Sequence, residues 1–104
     1  MTEASYGLGH EAIGRIRSVL AGFPQIERAI LYGSRAMGRE RPGSDIDLTL
    51  VGEDIDQRLL DNLCNRLDDL LLPWQFDLSA YREIENPALL DHIRRVGKVF
   101  YQRR

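Results

Sequence analysis

Cysteine is nearly missing from this sequence. The one residue, Cys64, leaves no partner for a disulfide within the chain, and its neighbours Leu60, Leu63 and Leu67 mark it as a reduced thiol packed in a core. Histidine is almost as scarce. His10 and His92 stand far apart, neither with a partner at ligand spacing, so both read as surface or boundary residues. No apolar run approaches the roughly 18 residues that a membrane span needs. The start, "MTEASYGLGHEAIG", lacks a basic segment followed by an apolar one, so the expected location is the cytoplasm. Positive charge is not in excess either: 14 Lys and Arg stand against 16 Asp and Glu, a net charge of −2. That argues against a protein that coats nucleic acid through bulk charge, though it leaves room for a local basic patch. Repeats, low-complexity tracts and linkers are absent. What remains is a chain of 104 residues, 43% hydrophobic, enough for one domain over residues 1–104 with a real but small core.

The apolar pattern alternates between helix and strand periods. Ile13, Ile16, Val19 and Leu20 recur at helical spacing over about Gly9 to Ala21, and Pro24 disfavours helix at Phe23. Arg28 to Tyr32 is a short run of strand formers that Gly33 stops. Asp45 to Val51 reads as a strand with Ile46, Leu48 and Leu50 on one face and Asp45, Asp47 and Thr49 on the other. A second helix is expected from about Asp56 to Leu71, with Leu59, Leu60, Leu63, Leu67, Leu70 and Leu71 as its stripe and Asp54 or Asp56 as N-cap. "WQFDLSA" follows as a strand, with Trp74, Phe76 and Leu78 inward and Gln75, Asp77 and Ser79 outward. Pro87 to Val96 reads as a last helix, with Pro87 in its first turn. "KVFYQ" is either an edge strand or a docked tail. The expected class is α+β, an α/β sandwich with a small mixed sheet and helices packed on it.

Asp45 and Asp47, two apart on a strand, share a face with their Cα atoms roughly 6.6 Å apart. Converging to about 4 Å at an effective dielectric near 20, they would repel by roughly 4 kcal/mol. That is a large part of a domain's stability, about 5–15 kcal/mol. A proton or a cation relieves it. Oxygen-only ligands suit Mg²⁺, with Mn²⁺ as the alternative. Asp77, on the polar face of another strand, would make three carboxylates if the strands are neighbours. Such a set could hold two ions about 3.5–4 Å apart.

The loop before Asp45 points the same way. Gly33 and Ser34 follow a strand, and Ser34 starts a short stretch, "SRAMG", that reads as a small helix. A Gly–Ser step there offers N–H groups and a hydroxyl to a phosphate. Arg35, Arg39 and Arg41 surround it, and arginine suits phosphate oxygens. Gly43 and Ser44 turn the chain into Asp45. No Gly-Lys-Ser/Thr follows the glycines, so a kinase-like or GTPase-like P-loop drops out. The plain alternative is a solvated turn.

"GSRAMGRERPGSDIDL", Gly33 to Leu48, resembles the signature of the nucleotidyltransferase superfamily whose fold is shared with DNA polymerase beta. Gly33, Ser34, Asp45 and Asp47 fall on the motif, and Asp77 falls where the third carboxylate is expected. Met37 departs from a common form with a second arginine there. The short length resembles the minimal nucleotidyltransferases, the MNT antitoxins of HEPN/MNT toxin–antitoxin pairs. The resemblance implies a nucleotidyltransferase fold and transfer of a nucleoside monophosphate, AMP from ATP in that subgroup, to a hydroxyl of a partner. It makes Asp45, Asp47 and Asp77 the catalytic and metal-binding set for two Mg²⁺ ions. Gly33, Ser34, Arg35 and Ser44 become nucleotide contacts, with Arg39 or Arg41 steadying the departing pyrophosphate.

The resemblance also implies a small helical HEPN-type partner, with the protein as a hetero-oligomer or a homodimer. Two further readings compete. One is a non-catalytic antitoxin that neutralises its partner by contact; the other is a metal-binding domain without transferase activity. Trp74, Phe76, Phe100 and Tyr101 are candidates for stacking a base, with core packing the expected role of Trp74 and Phe76.

Overall fold

Apolar residues at helical spacing build the first helix, α1, His10–Ala21, which buries Ala12, Ile13, Ile16 and Leu20 on one face. The computed structural model describes residues 5–104. Strand β1 runs Arg28–Tyr32, β2 Ile46–Val51, β3 Phe76–Ala80 and β4 Lys98–Gln102, with helix α2 at Gln57–Asp68 and α3 at Pro87–Val96. Together these give a mixed four-stranded sheet in the order β3-β2-β1-β4. β1 is antiparallel to β2 and β4, while β2 and β3 are parallel. Parallel neighbours need a crossover, and α2 supplies it.

The alternation along the strands decides the layers. Ala29 and Leu31 of β1 and Ile46, Leu48 and Leu50 of β2 face the main core with Ile16, Leu20, Leu63 and Leu67 of α1 and α2. Ile30 and Tyr32 point to the opposite face. There they meet α3, where Gly97 lies against the Ile30 side chain and Tyr32 packs edge-on to His92. "KVFYQ" forms an edge strand on β1, with an irregularity in register between Ala29 and Ile30. Arg17 ties that edge to α1. Its Nε donates to the Phe100 carbonyl at 2.7 Å, and its guanidinium lies 5.3 Å from the Phe100 ring centroid.

Caps set the helix ends. The Asp56 carboxylate accepts the Leu59 N–H at 2.9 Å, and the Asn86 amide oxygen accepts from Ala88 at 2.9 Å, with Pro87 in the first turn. Helix α2 ends at Asp68, short of the expected Leu71. Leu71 has φ +57 and is 89% exposed, so it does not belong to the buried stripe. The chain reverses there to bring β3 alongside β2, and the left-handed residue makes the turn. Cys64 is a free, half-buried thiol. Burial, then Asp68 and Asp61, push its pKa up, which keeps it protonated and unreactive. No helix among the described residues is long and apolar enough to cross a membrane.

Gly14 sits inside α1, exposed, with nothing within 4 Å of where a Cβ would stand. Gly14→Ala is expected to stabilise the fold by about 1 kcal/mol. Thermal unfolding followed by circular dichroism should show a rise of roughly 4–8 °C; an unchanged midpoint contradicts the helix placement.

Candidate active site

Parallel pairing sets the register at the carboxylates. Asp47 of β2 lies directly abreast of Asp77 of β3, on strands about 4.8 Å apart. Asp45, the residue before Ile46, lies on the same side by alternation and is exposed, as is Asp77. Below the acids the same two strands place Thr49 beside Ser79. The Ser79 hydroxyl donates to Thr49 Oγ1 at 2.9 Å, so the buried Thr49 is satisfied. On the other side of β2, Tyr32 is the register partner of Asp47. Burial raises the Tyr32 phenol pKa most; the Ser79 hydrogen bond lowers it, and the charges of Asp77 and Asp47 add to the rise.

Asp47 carries the electrostatic load. Burial first, then Asp77 and Asp45, raise its pKa from an ordinary 3.8 to about 6, while His92 acts in the other direction. A half-buried carboxylate held abreast of like charges favours a proton or a cation. The donors are carboxylate oxygens with open positions beside them, which fits Mg²⁺ or Mn²⁺. They are not a ready-made cage. Among the described residues no three His, Cys, Asp or Glu side chains stand close enough to hold one ion.

Gly33 follows β1 with φ +76, and a Cβ there would collide with Asp47 Oδ2. Only glycine allows both the left-handed backbone and that approach. The next residues form hydrogen-bonded turns rather than the expected short helix: Arg39 N–H donates to the Ser34 carbonyl at 2.9 Å, and Met37 N–H to Gly33 and Ser34 at 3.2 Å. Gly38, with φ +71, stops any helical continuation. Ser34, next in the chain after Gly33, is half-buried, and Arg39 and Arg41 are exposed on the loop.

Two expected nucleotide contacts do other work. Arg35 is 2% exposed. Its Nε and Nη2 donate to the Ser44 carbonyl at 3.1 and 2.8 Å, and Nη1 donates to the Tyr6 carbonyl at 2.9 Å. The guanidinium lies 5.2 Å from the Trp74 ring centroid. Burial lowers its pKa, against the charges of Glu40 and Asp45, which raise it. Arg35 is therefore a buried clip that closes the loop onto Asp45, with its fork turned away from solvent. Ser44 belongs to the same clip: its Oγ accepts the Arg41 N–H at 2.8 Å. Trp74, just before β3, packs half-buried against the core as expected and also braces this loop, its Nε1 donating to the Pro42 carbonyl at 3.2 Å. A planar cation that seals a turn by backbone contacts looks, in sequence, the same as one that waits for phosphate.

His92 is the residue that sequence reasoning missed. Its Nε2 accepts the Gly33 N–H at 3.2 Å, and its ring meets Tyr32 edge-on, centroids 6.2 Å apart at 82°. No local signal pointed there, because the contact spans 59 residues. The one available clue was a polar imidazole near the apolar face of a helix.

Two outcomes follow from these contacts. The folded protein holds the Asp47 proton more tightly than the unfolded chain, so it binds more protons between about pH 4 and pH 6. Stability therefore falls as pH rises through that window and stays lowered above it. Asp47→Asn removes the charge; solvent screening leaves a gain of about 1 kcal/mol at pH 7.5 without divalent cations. The melting-point difference between variant and wild type should shrink to nothing near pH 4. Arg35→Lys keeps the charge but loses the fork, and should cost about 2–3 kcal/mol in urea unfolding; a wild-type midpoint would refute the clip.

Comparison with known proteins agrees with this geometry. The family described as "Polymerase beta, Nucleotidyltransferase" matches residues 14–104. A chain from a crystal structure of a toxin–antitoxin with AMP-PNP superposes with a TM-score of 0.72 at 23% identity, covering 88% of this chain and 74% of that one. A chain from the tri-AMPylated Shewanella oneidensis HEPN toxin in complex with MNT antitoxin gives 0.66 at 21% identity, covering 89% and 71%. A putative nucleotidyltransferase from Sulfolobus solfataricus gives 0.55 at 18% identity, covering 99% and 93%. A search of curated proteins found no match. At such identities the structural likeness speaks for the fold, and the family match over residues 14–104 speaks for descent. The chain belongs to the polymerase beta nucleotidyltransferase family.

Proposed function

We propose that this protein is a Mg²⁺-dependent nucleotidyltransferase that moves AMP from ATP to a hydroxyl of a partner protein, and that it serves as the antitoxin of a small helical HEPN-type toxin. The observation that carries the chemistry is the register that sets Asp47 abreast of Asp77 beneath Gly33. The partner reading is supported by the likeness to chains from toxin–antitoxin complexes, one of them with AMP-PNP.

Asp45, Asp47 and Asp77 would hold the divalent ions, with remaining ligands from the triphosphate and water. Bound there, the cations supply charge neutralisation of the triphosphate and acidify the acceptor hydroxyl. The chain's own groups do the rest. The Ser34 N–H and hydroxyl bind the phosphates, and the exposed Arg39 and Arg41 steady charge on the departing pyrophosphate. The acceptor oxygen bonds to the α-phosphorus as the bond to the bridging oxygen of the β-phosphate breaks. Asp77, exposed at the strand edge, takes the acceptor's proton. Asp45 and Asp77 are exposed, so a partner or a second copy could complete the base pocket over them.

A second reading keeps the fold and drops the chemistry: the protein neutralises its partner by contact alone. It is supported by the same likeness to chains seated in toxin–antitoxin complexes, since a toxin in an assembled pair can be neutralised by contact, although one of those toxins is tri-AMPylated. One experiment separates the two. Asp45→Asn with Asp47→Asn should lower labelling of a co-expressed helical partner by radiolabelled ATP and Mg²⁺ by at least ~100-fold, while the pair still co-elutes in gel filtration. Neutralisation that survives this double change in growing cells would establish the contact reading instead.

A further inference from the structure

We propose that His92 is a positioning residue of the nucleotide site, holding the Gly33–Ser34 turn over Asp47 by accepting the Gly33 N–H. The statement that this site takes a nucleotide rests on the transferase reading above; the hold on the turn does not.

The β1–β2 ladder ends at the pair Tyr32 and Asp47. One residue later the Gly33 amide has left the strand, and a part-buried N–H must find an acceptor elsewhere. It finds His92 Nε2 at 3.2 Å. A nitrogen that accepts from a backbone N–H carries no hydrogen itself, so this geometry assigns the neutral ring its proton on Nδ1. The ring is fixed on a second side by Tyr32. Helix α3 thus grips two consecutive residues, and both lie against Asp47: Tyr32 by register, Gly33 by an approach too close for any Cβ.

The consequence is mechanical. Gly33 has no side chain to restrict it, and its left-handed backbone is a conformation glycine leaves easily. The His92 bond removes that freedom at the place where Ser34 must face the same phosphates as Asp47. Preorganised donors bind charge better than donors that must first be ordered. Tyr32 packing alone would also anchor α3, so the two roles of His92 need separating. His92→Phe keeps an aromatic ring beside Tyr32 and deletes the acceptor. His92→Gln restores an acceptor at nearly the same reach.

The test uses the full chain. Amide hydrogen exchange at Gly33, read by NMR, and the dissociation constant for MgATP, read by isothermal titration, are measured for wild type and both variants. In His92→Phe, Gly33 should exchange about tenfold faster and MgATP should bind about tenfold more weakly, the size of change expected from one hydrogen bond. His92→Gln should return both to within roughly threefold of wild type. Unchanged exchange at Gly33 in His92→Phe overturns the proposal. So does faster exchange with unchanged MgATP affinity, or a glutamine variant no better than phenylalanine. If wild type fails to bind MgATP both alone and co-purified with its helical partner, the transferase reading falls and the nucleotide role of His92 falls with it; exchange at Gly33 alone then decides whether His92 holds the turn.

Discussion

Two aspartates abreast on parallel strands are the constraint around which this molecule is arranged. Asp47 and Asp77 occupy the same register step, where hydrogen bonding keeps the strands about 4.8 Å apart. Burial and like charge then push Asp47 to about 6. A small fold keeps such an arrangement only if something else answers the charge. Within the chain His92 offsets part of the shift at Asp47, and Arg35 interacts with the charge of Asp45. Gly33 brings bare backbone against the Asp47 carboxylate.

The loop between β1 and β2 is built to keep that approach in place. Arg35 looks, by its position among glycines and serines, like a residue that greets phosphate. Its fork instead takes the carbonyls of Ser44 and Tyr6, with Trp74 against its face. Fully buried cations need such saturation, because an unpaired guanidinium in the interior would be strongly destabilising. The result is a division of labour among the arginines. Arg35 shapes the loop, while Arg39 and Arg41 remain exposed at its surface.

Much of this was legible in advance, and the failures have physical causes. The alternation of Ile46, Leu48 and Leu50 against Asp45, Asp47 and Thr49 predicts β2 and its faces because one face is buried and the period of a strand is two. The motif from Gly33 to Asp47 was visible because it is contiguous. Leu71 was misassigned to the buried stripe because helical spacing does not say where a helix stops. Pro73 marks the break only approximately, and the left-handed turn at Leu71 two residues earlier serves the path of β3. Arg35 reads in sequence as a phosphate contact, because side-chain hydrogen bonds to distant backbone carbonyls have no sequence signature. His92 was passed over because its partner lies 59 residues away.

Local order therefore settled the elements, the polar face of β2, and the identity of the acids and the glycine turn, since each depends on neighbours within a few residues. Assembly settled the rest. Only pairing of β2 with β3 through the α2 crossover could put Asp77 level with Asp47, and only packing of α3 on the far face of β1 could carry an imidazole to Gly33. Distances between segments remote in the chain are set by how layers bury their apolar faces together, and no stretch of sequence contains that information alone.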